Sequence, residues 1–217
     1  MLRILIADDH GILRAGLKHI LQDSGDIIVA GEACDGHETL AKVRNEAWDA
    51  LILDLSMPGR SGIELIKQIK NEFPRLPILV LSMHKEDIYA VRTLKAGASG
   101  YLCKDNAETQ LASAIRKITS GGLFISPSVA EKLTREILTG NRETAPHNRL
   151  TDREYQVFFL IVNGQGVTSI AHQLNLSVKT VSTHKANILA KMNMSNTADL
   201  IRYAIHHRLT ENSDGID

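Results

Sequence analysis

The chain has 217 residues, and its 25 basic and 25 acidic side chains give a formal net charge of zero. A hydrophobic fraction of 43% is typical of a globular protein and excludes wholesale disorder. The longest apolar run, residues 157–162, is far shorter than the roughly 18 residues of a membrane span. Two cysteines exclude a disulfide or zinc framework. We therefore expect a cytoplasmic protein, not bound to a membrane, with one large or two small domains.

The first 120 residues alternate between short apolar runs and segments with the apolar spacing of amphipathic helices. The predicted strands are residues 2–7, 27–31, 50–54, 77–82 and 98–102. Strands that alternate with helices predict a parallel, doubly wound α/β sheet. We expect five strands in the flavodoxin-like order 2-1-3-4-5.

Residues 121–148 are predicted to link this unit to a second one. A helix is predicted near 129–138, and the polar segment that follows contains glycine and proline. The last residues, 211–217, are predicted to be a frayed polar tail.

Residues 149–210 show no strand pattern and predict a small all-α domain. Thr151 and Glu154 have the spacing of a capping box, which favours a helix over a buried strand for residues 157–162. A short helix at 167–174, a three-residue turn and a helix at 178–192 have the dimensions of a helix-turn-helix. A fourth helix is predicted at about 197–207, and a generic helical bundle is the alternative.

A set of polar side chains follows the predicted strands of the first unit. Asp8 and Asp9 follow strand one, Asp54 ends strand three, Ser82 ends strand four and Lys104 follows strand five. Ligands of doubly wound sheets bind at this edge, where strands one and three are neighbours. Clustered carboxylates suit Mg²⁺ and a lysine suits a phosphoryl group. The set predicts phosphoryl transfer to Asp54, unless the acids only cap a helix or lie in exposed loops.

Four motifs sharpen this prediction: Asp8-Asp9, LDLSMPGRSG at 53–62, Leu81-Ser82 and GASGYLCK at 97–104. Together they resemble the receiver domain of bacterial two-component response regulators over about residues 1–120. The resemblance implies that a sensor histidine kinase phosphorylates Asp54. It also implies Mg²⁺ held by Asp9, Asp54 and the backbone carbonyl of Ser56, with Asp8 close by.

The resemblance further implies that Ser82 and Tyr101 are a switch pair. Phosphorylation adds about −1.5 to −2 charge, so Ser82 and Lys104 would gain a phosphoryl partner. Movement of Ser82 would vacate space into which Tyr101 could turn. The alternative for Tyr101 is an ordinary packing aromatic.

The zero net charge hides a basic stripe, because residues 155–198 contain three lysines and no Asp or Glu. On the second helix of the helix-turn-helix, one face carries side chains suited to phosphates and base edges. The predicted DNA contacts are Lys179, Thr180, Ser182, Thr183 and Lys185. The predicted core positions are Ile170, Leu174, Leu176, Val178, Val181 and Ile188. His184 could face the DNA groove or the core.

The segments LTDRE at 150–154, Ile170-Ala171, LSVKTVSTH at 176–184 and Lys191-Met192 resemble the LuxR-type DNA-binding domain. With the receiver, the whole chain resembles the NarL/FixJ class of response regulators. This implies a recognition helix at about 178–192 that binds promoter DNA in the major groove. It also implies homodimerisation on phosphorylation through the last helix, although an intradomain core is the competing interpretation. The residues of that dimer helix are Leu200, Ile201, Ala204 and Ile205.

We therefore expect a transcription regulator and not an enzyme, apart from self-phosphorylation and slow autodephosphorylation. One alternative is a DNA-binding regulator whose receiver works without phosphorylation. A less favoured alternative is an Mg²⁺-dependent phosphohydrolase on the same sheet. Such enzymes often carry a second acid two residues after the nucleophile, where this chain has Ser56.

Overall fold

The computed structural model describes residues 1–57, 62–82, 86–138, 145–207 and 209–210. The predicted polar tail and the linker residues 139–144 lie outside these ranges, as do residues 58–61 of the motif after Asp54. The chain divides into two compact units, Met1–Glu136 and Ile137–Asp217. Within the described ranges, no helix combines the length and the hydropathy needed to cross a bilayer.

The N-terminal unit is built on five parallel strands. They are β1 Leu2–Ala7, β2 Ile27–Ala33, β3 Ala50–Asp54, β4 Ile78–Ser82 and β5 Gly100–Cys103. Their order in the sheet is β2-β1-β3-β4-β5, which confirms the predicted fold class and strand order. Four strand ends differ from the prediction, because β2 continues to Ala33, β4 begins at Ile78, and β5 begins only at Gly100 and continues to Cys103.

Helices cover both faces of this sheet. They are α1 Gly11–Gln22, α2 Gly36–Asn45, α3 Gly62–Glu72, α4 Glu86–Lys95 and α5 Ala107–Thr119. A further helix, α6 Pro127–Leu138, follows α5 after a short connection. The strands β3 and β4 are buried along their whole length, as expected for parallel strands covered on both faces. In the register, Asp54 lies opposite Leu81, which brings the carboxyl ends of the central strands to one edge.

After α5 the chain returns alongside the outer edge of β5. The carbonyl of Phe124 accepts the N–H of Tyr101 at 2.9 Å, and the N–H of Phe124 donates to the carbonyl of Ser99 at 3.0 Å. Gly100 lies between these two bonds, and a Cβ added to it would lie 2.9 Å from the Phe124 carbonyl oxygen. The close approach of the two backbones therefore requires glycine at position 100.

Every regular element among the described residues of the C-terminal unit is a helix, with no strand among them. Its helices are α7 Asp152–Val162, α8 Val167–Gln173, α9 Val178–Met192 and α10 Thr197–His206, preceded by a 3₁₀ turn at Pro146–Arg149. The predicted capping box is present, since Thr151 accepts the N–H of Glu154 and Glu154 accepts the N–H of Thr151. Residues 157–162 are therefore helical, as the capped start predicts.

The helices α8 and α9 form the predicted helix-turn-helix. Between them Asn175 adopts a left-handed conformation with φ of 52°, which allows the sharp turn. The Ser177 hydroxyl accepts the N–H of Thr180 and caps α9, and Asn193 ends the same helix with φ of 54°. Both ends of α9 are thus set by local sequence.

Candidate phosphoacceptor and DNA-binding sites

Three acidic residues meet at the carboxyl edge of the sheet. Asp8 and Asp9 follow β1, Asp54 ends β3, and these two strands are neighbours in the sheet. Asp8 and Asp54 are buried, whereas the side chain of Asp9 is partly exposed. The predicted convergence of these acids on one edge is therefore present.

Lys104, which follows β5, forms salt bridges with two of these acids. Its Nζ lies 2.8 Å from Asp8 Oδ2 and 2.8 Å from Asp54 Oδ2. Burial raises the pKa of Asp54 above its ordinary value, Lys104 opposes this rise, and the Asp8 charge adds to it. Burial works to lower the pKa of Lys104, but Asp54 and Asp8 outweigh it and hold that pKa above its ordinary value. The lysine is thus a charged partner fixed between two buried carboxylates.

The sequence patterns did not single out His10, which lies at the same place. Its Nδ1 is 2.9 Å from Asp9 Oδ1 and 3.3 Å from Asp8 Oδ1. Ligand atoms of Asp8, Asp9, His10 and Asp54, here called the acidic pocket, all lie within 4.8 Å of one another. The carboxylate oxygens of this pocket fit the oxygen coordination that Mg²⁺ prefers. The N–H of Ser56 donates to Asp54 Oδ1 at 3.1 Å, so the residue whose carbonyl is a predicted ligand is adjacent.

The predicted switch pair lies inside the same unit. Ser82 ends β4 and is buried, and in the register it lies opposite Cys103 of β5. The ring of Tyr101 is also buried in this structure, with only 1% of the residue exposed. The ring is therefore already buried without any movement of Ser82. The switch role of both residues stays a prediction.

The predicted DNA-binding residues all lie on α9, but their exposure differs. Lys179, Ser182 and Thr183 are exposed, whereas Thr180 and Lys185 are half-buried. Thr180 takes part in the cap, because its hydroxyl lies 2.7 Å from that of Ser177.

His184 is half-buried and turned toward the body of the domain. Its Nδ1 atom is buried and, within the described part of the chain, has no hydrogen-bond partner. Burial lowers the pKa of His184, and the neighbouring charge of Arg153 lowers it further. Of the two orientations left open by the sequence, the geometry favours the one toward the core.

One predicted core residue is wrong. Val178 is 49% exposed, whereas Ile170, Leu174, Val181 and Ile188 are buried and Leu176 is half-buried. Val178 is the first residue of α9, ahead of the turn that packs on the domain, so its side chain does not reach the core.

The predicted dimer helix, α10, presents its four residues in different environments. Leu200 and Ala204 are buried in the domain itself, which is the competing interpretation for these two residues. Ile201 is half-buried and Ile205 is 59% exposed. A dimer surface on α10 stays a prediction that depends on Ile201 and Ile205.

Comparisons with known proteins agree with both halves of the chain. Residues 4–116 match the family model of the response regulator receiver domain, and residues 148–204 match that of bacterial regulatory proteins of the luxR family. The response regulator UvrY of Escherichia coli (strain K12) is 35% identical over 209 residues, which cover 96% of each chain. The oxygen regulatory protein NreC of Staphylococcus carnosus (strain TM300) is 37% identical over 216 residues, which cover 97% of this chain and 100% of NreC.

A solved structure is also similar to this chain. It is RcsB from Salmonella enterica serovar Typhimurium, bound to promoter rprA in the presence of phosphomimetic BeF₃⁻. The identity is 32% and the TM-score 0.64, over 93% of this chain and 97% of that one. The chain therefore belongs to the two-component response regulators of the NarL/FixJ class, with a receiver domain followed by a LuxR-type DNA-binding domain.

Proposed function

We propose that a sensor histidine kinase phosphorylates Asp54, and that the phosphorylated chain binds promoter DNA as a homodimer and controls transcription. The observation that carries this proposal is the buried Asp54 carboxylate held by Lys104 at 2.8 Å beside the acidic pocket. The activity is regulatory, because no turnover is needed beyond phosphorylation of the chain and slow loss of that phosphoryl group. Its site of action is the cytoplasm, where promoter DNA lies.

The residues around Asp54 suit it as an acceptor. One carboxylate oxygen accepts the Ser56 N–H and the other accepts a hydrogen bond from Lys104. These two bonds fix the orientation of the carboxylate. In the transfer, a carboxylate oxygen forms the new O–P bond while the P–N bond of the kinase phosphohistidine breaks. On phosphorylation the Asp54 carboxylate loses its negative charge, and the phosphoryl oxygens carry negative charge in its place. Lys104 is close enough to bond one of these oxygens.

The acidic pocket has the oxygen donors for Mg²⁺, and the proposed ligands are Asp9, Asp54 and the Ser56 carbonyl, with Asp8 nearby. When bound, the ion neutralises negative charge on the transferred phosphoryl group. The chain's own contribution is to place the Lys104 ammonium against Asp8 and Asp54 and to hold Asp9 next to His10.

Ser82 and Tyr101 are proposed to carry the signal away from Asp54. Both belong to adjacent strands whose ends lie at the phosphoacceptor edge. The Ser82 hydroxyl can donate to a phosphoryl oxygen, and a shift of this strand end changes the packing around Tyr101. The affinity of the chain for a second copy would change with it.

The DNA-binding step is proposed to use α9 in the major groove. Lys179, Ser182 and Thr183 are exposed on this helix, and Lys185 and Thr180 complete the predicted face. Few cations per chain give weak binding to one half-site, so two copies on paired half-sites supply affinity by raising the effective concentration. The exposed Ile205 of α10 is available for the second copy.

The test of the phosphoacceptor is mass spectrometry of the full chain after incubation with Mg²⁺ and acetyl phosphate. We expect one phosphoryl group on the peptide that contains Asp54, none in Asp54→Ala, and a normal adduct in the matched control Asp105→Asn. No adduct in the unsubstituted chain, or an adduct that persists in Asp54→Ala, contradicts the proposal. An adduct that forms without changing DNA affinity supports the phosphorylation-independent regulator instead.

A further inference from the structure

Val178 is an exposed apolar side chain on a helix whose other large apolar residues are buried or half-buried. Its exposed fraction is 49%, while Val181, Ile188 and Met192 of the same helix are buried. Among the described residues of the C-terminal unit, the only other large apolar side chain of comparable exposure is Ile205 of α10. An exposed valine on α9 therefore has no role in the domain's own core.

Val178 lies at the N-terminal end of α9, the end with which a recognition helix contacts the major groove of DNA. Recognition helices contact base edges mainly with their N-terminal residues, and Val178 is the first residue of α9. Residues four and seven positions further on lie on the same face of a helix, here Ser182 and Lys185. Both belong to the predicted DNA-binding face, so Val178 extends that face by one turn.

The start of the helix is held rigidly. The Ser177 hydroxyl accepts the N–H of Thr180 at 3.0 Å and lies 2.7 Å from the Thr180 hydroxyl. Val178 lies between these two residues, and its β-branched side chain has little freedom at χ1 in a helix. It therefore presents its methyl groups in a defined direction.

The chemistry around Val178 selects the kind of partner. Lys179 is exposed next to it, and residues 155–198 contain no Asp or Glu, so the surface is complementary to a polyanion. On the major-groove edges of the base pairs, the one apolar group is the C5 methyl of thymine. We propose that Val178 contacts the C5 methyl of a thymine in the promoter half-site and is a specificity-determining residue. The inference rests on the proposed binding of DNA through α9.

The experiment uses the full chain and duplex DNA whose sequence is selected from a random pool by the chain itself, with acetyl phosphate and Mg²⁺ present. Each thymine of the selected half-site is then replaced singly by deoxyuridine, which removes only the methyl group. We expect one thymine position at which this replacement weakens binding about fourfold, equivalent to about 0.8 kcal/mol for one buried carbon.

The matched variant is Val178→Ala, which removes the proposed partner of the methyl group. It is expected to bind the thymine and deoxyuridine duplexes equally, with an affinity about fourfold below that of the unsubstituted chain on thymine. The control variant Ile28→Ala removes a similarly exposed apolar side chain on β2 and should keep the full dependence on the methyl group. Because Val178 is exposed at a helix end, its truncation leaves the core intact, and circular dichroism checks this.

Two outcomes separate this inference from the function on which it rests. If the chain selects a sequence but Val178→Ala keeps the same dependence on a thymine methyl, or no thymine shows one, the Val178 contact is overturned and DNA binding stands. If the chain selects no sequence with or without the phosphodonor, both the contact and the proposed function are overturned.

Discussion

Glu154 and Lys191 form a salt bridge in which the carboxylate is almost fully buried. Lys191 Nζ lies 2.6 Å from Glu154 Oε2, and the same oxygen accepts the N–H of Thr151 at 2.8 Å. One carboxylate thus connects the first turn of α7 with the last turn of α9. This connection holds α9 against α7.

We predict that Glu154→Gln lowers the free energy of unfolding of the C-terminal unit by about 1–3 kcal/mol, because it breaks a charge-assisted, buried hydrogen bond. Burial alone would raise the pKa of Glu154, but Lys191 and Thr151 outweigh it and hold the pKa below its usual value. A carboxyl with a lowered folded-state pKa stabilises above its unfolded pKa, and this stabilisation is lost as pH falls through the folded-state pKa. The unfolding free energy that Glu154→Gln loses should therefore be large at pH 7 and small in acid.

The measurement is hydrogen exchange of α7 and α9 in the full chain at neutral and acid pH. Arg202→Gln is the control, because the exposed Arg202 pairs with Asp199 three residues earlier on the same helix, and such surface pairs contribute little. Equal loss of protection in the two variants would contradict the prediction.

We predict that Asp54→Asn raises the thermal midpoint of the N-terminal unit in EDTA at pH 7 by about 2–4 °C, equivalent to about 1 kcal/mol for a chain of this size. Burial raises the pKa of Asp54, so its ionised form destabilises the folded state at neutral pH, and asparagine removes that charge. The advantage should fade as pH falls through the raised folded-state pKa, where the native aspartate takes up its proton. Fluorescence of Trp48, the single tryptophan, follows this unit.

The same melts with Mg²⁺ give the complementary result. The unsubstituted chain should gain stability from the ion, by binding to the folded state alone, and Asp54→Asn should gain much less. Asp105→Asn, which changes an exposed acid beside Lys104, should respond to Mg²⁺ like the unsubstituted chain. A lower midpoint of Asp54→Asn in EDTA would count against the destabilising charge.

We predict opposite effects for two glycine substitutions. In Gly100→Ala the new Cβ would lie 2.9 Å from the Phe124 carbonyl oxygen and 3.0 Å from Leu79 Cδ1, which should destabilise the unit by about 1–3 kcal/mol. In Gly16→Ala, in α1, the Cβ meets nothing within 4 Å, and the better helix former should stabilise by about 0.5–1 kcal/mol.

Urea unfolding followed by Trp48 fluorescence measures both effects. Hydrogen exchange of the Tyr101 and Phe124 amides adds a local readout, because only Gly100→Ala should release Phe124 from β5. A Gly100→Ala chain that keeps the protection of the Tyr101 amide would contradict the proposed steric cause.

We predict that the double variant Lys179→Ala and Lys185→Ala binds DNA more weakly and with a shallower dependence on salt. Each lysine–phosphate ion pair that the substitutions remove should reduce the slope of log K against log salt by about 0.9. Gel shifts of the full chain over a series of salt concentrations measure the slope, and Lys18→Ala on α1 is the control with an unchanged slope. An unaltered slope in the double variant would remove these lysines from the DNA-binding face.

Local sequence was enough to predict the elements and most of the acidic pocket. Strand ends at Asp54 and Ser82 follow from short apolar runs, and the strand order then places Asp8 beside Asp54. The caps Thr151 and Ser177 are short-range signals, which explains why α7 and α9 begin where expected.

What the sequence could not predict depends on contacts between distant segments. Phe124 pairs with β5 through backbone atoms, which leave no residue pattern. A single histidine after two aspartates carries no signal by itself, so the part of His10 in the pocket became visible only through its distances to Asp8 and Asp9. On α10 the apolar spacing is the same for Leu200 with Ala204 as for Ile201 with Ile205, and packing decides which pair is buried.

The two caps of α9 also set how much DNA one chain can read. Fifteen residues at about 1.5 Å per residue give a helix about 22 Å long. At about 3.4 Å per base pair, this spans at most about six base pairs, well under one turn of the duplex. A DNA sequence of six base pairs recurs many times among the about 10⁶–10⁹ competing sites of a genome. One α9 helix is therefore too short to address a single promoter, and the proposed homodimer, with two such helices one helical turn apart, would double the number of base pairs read.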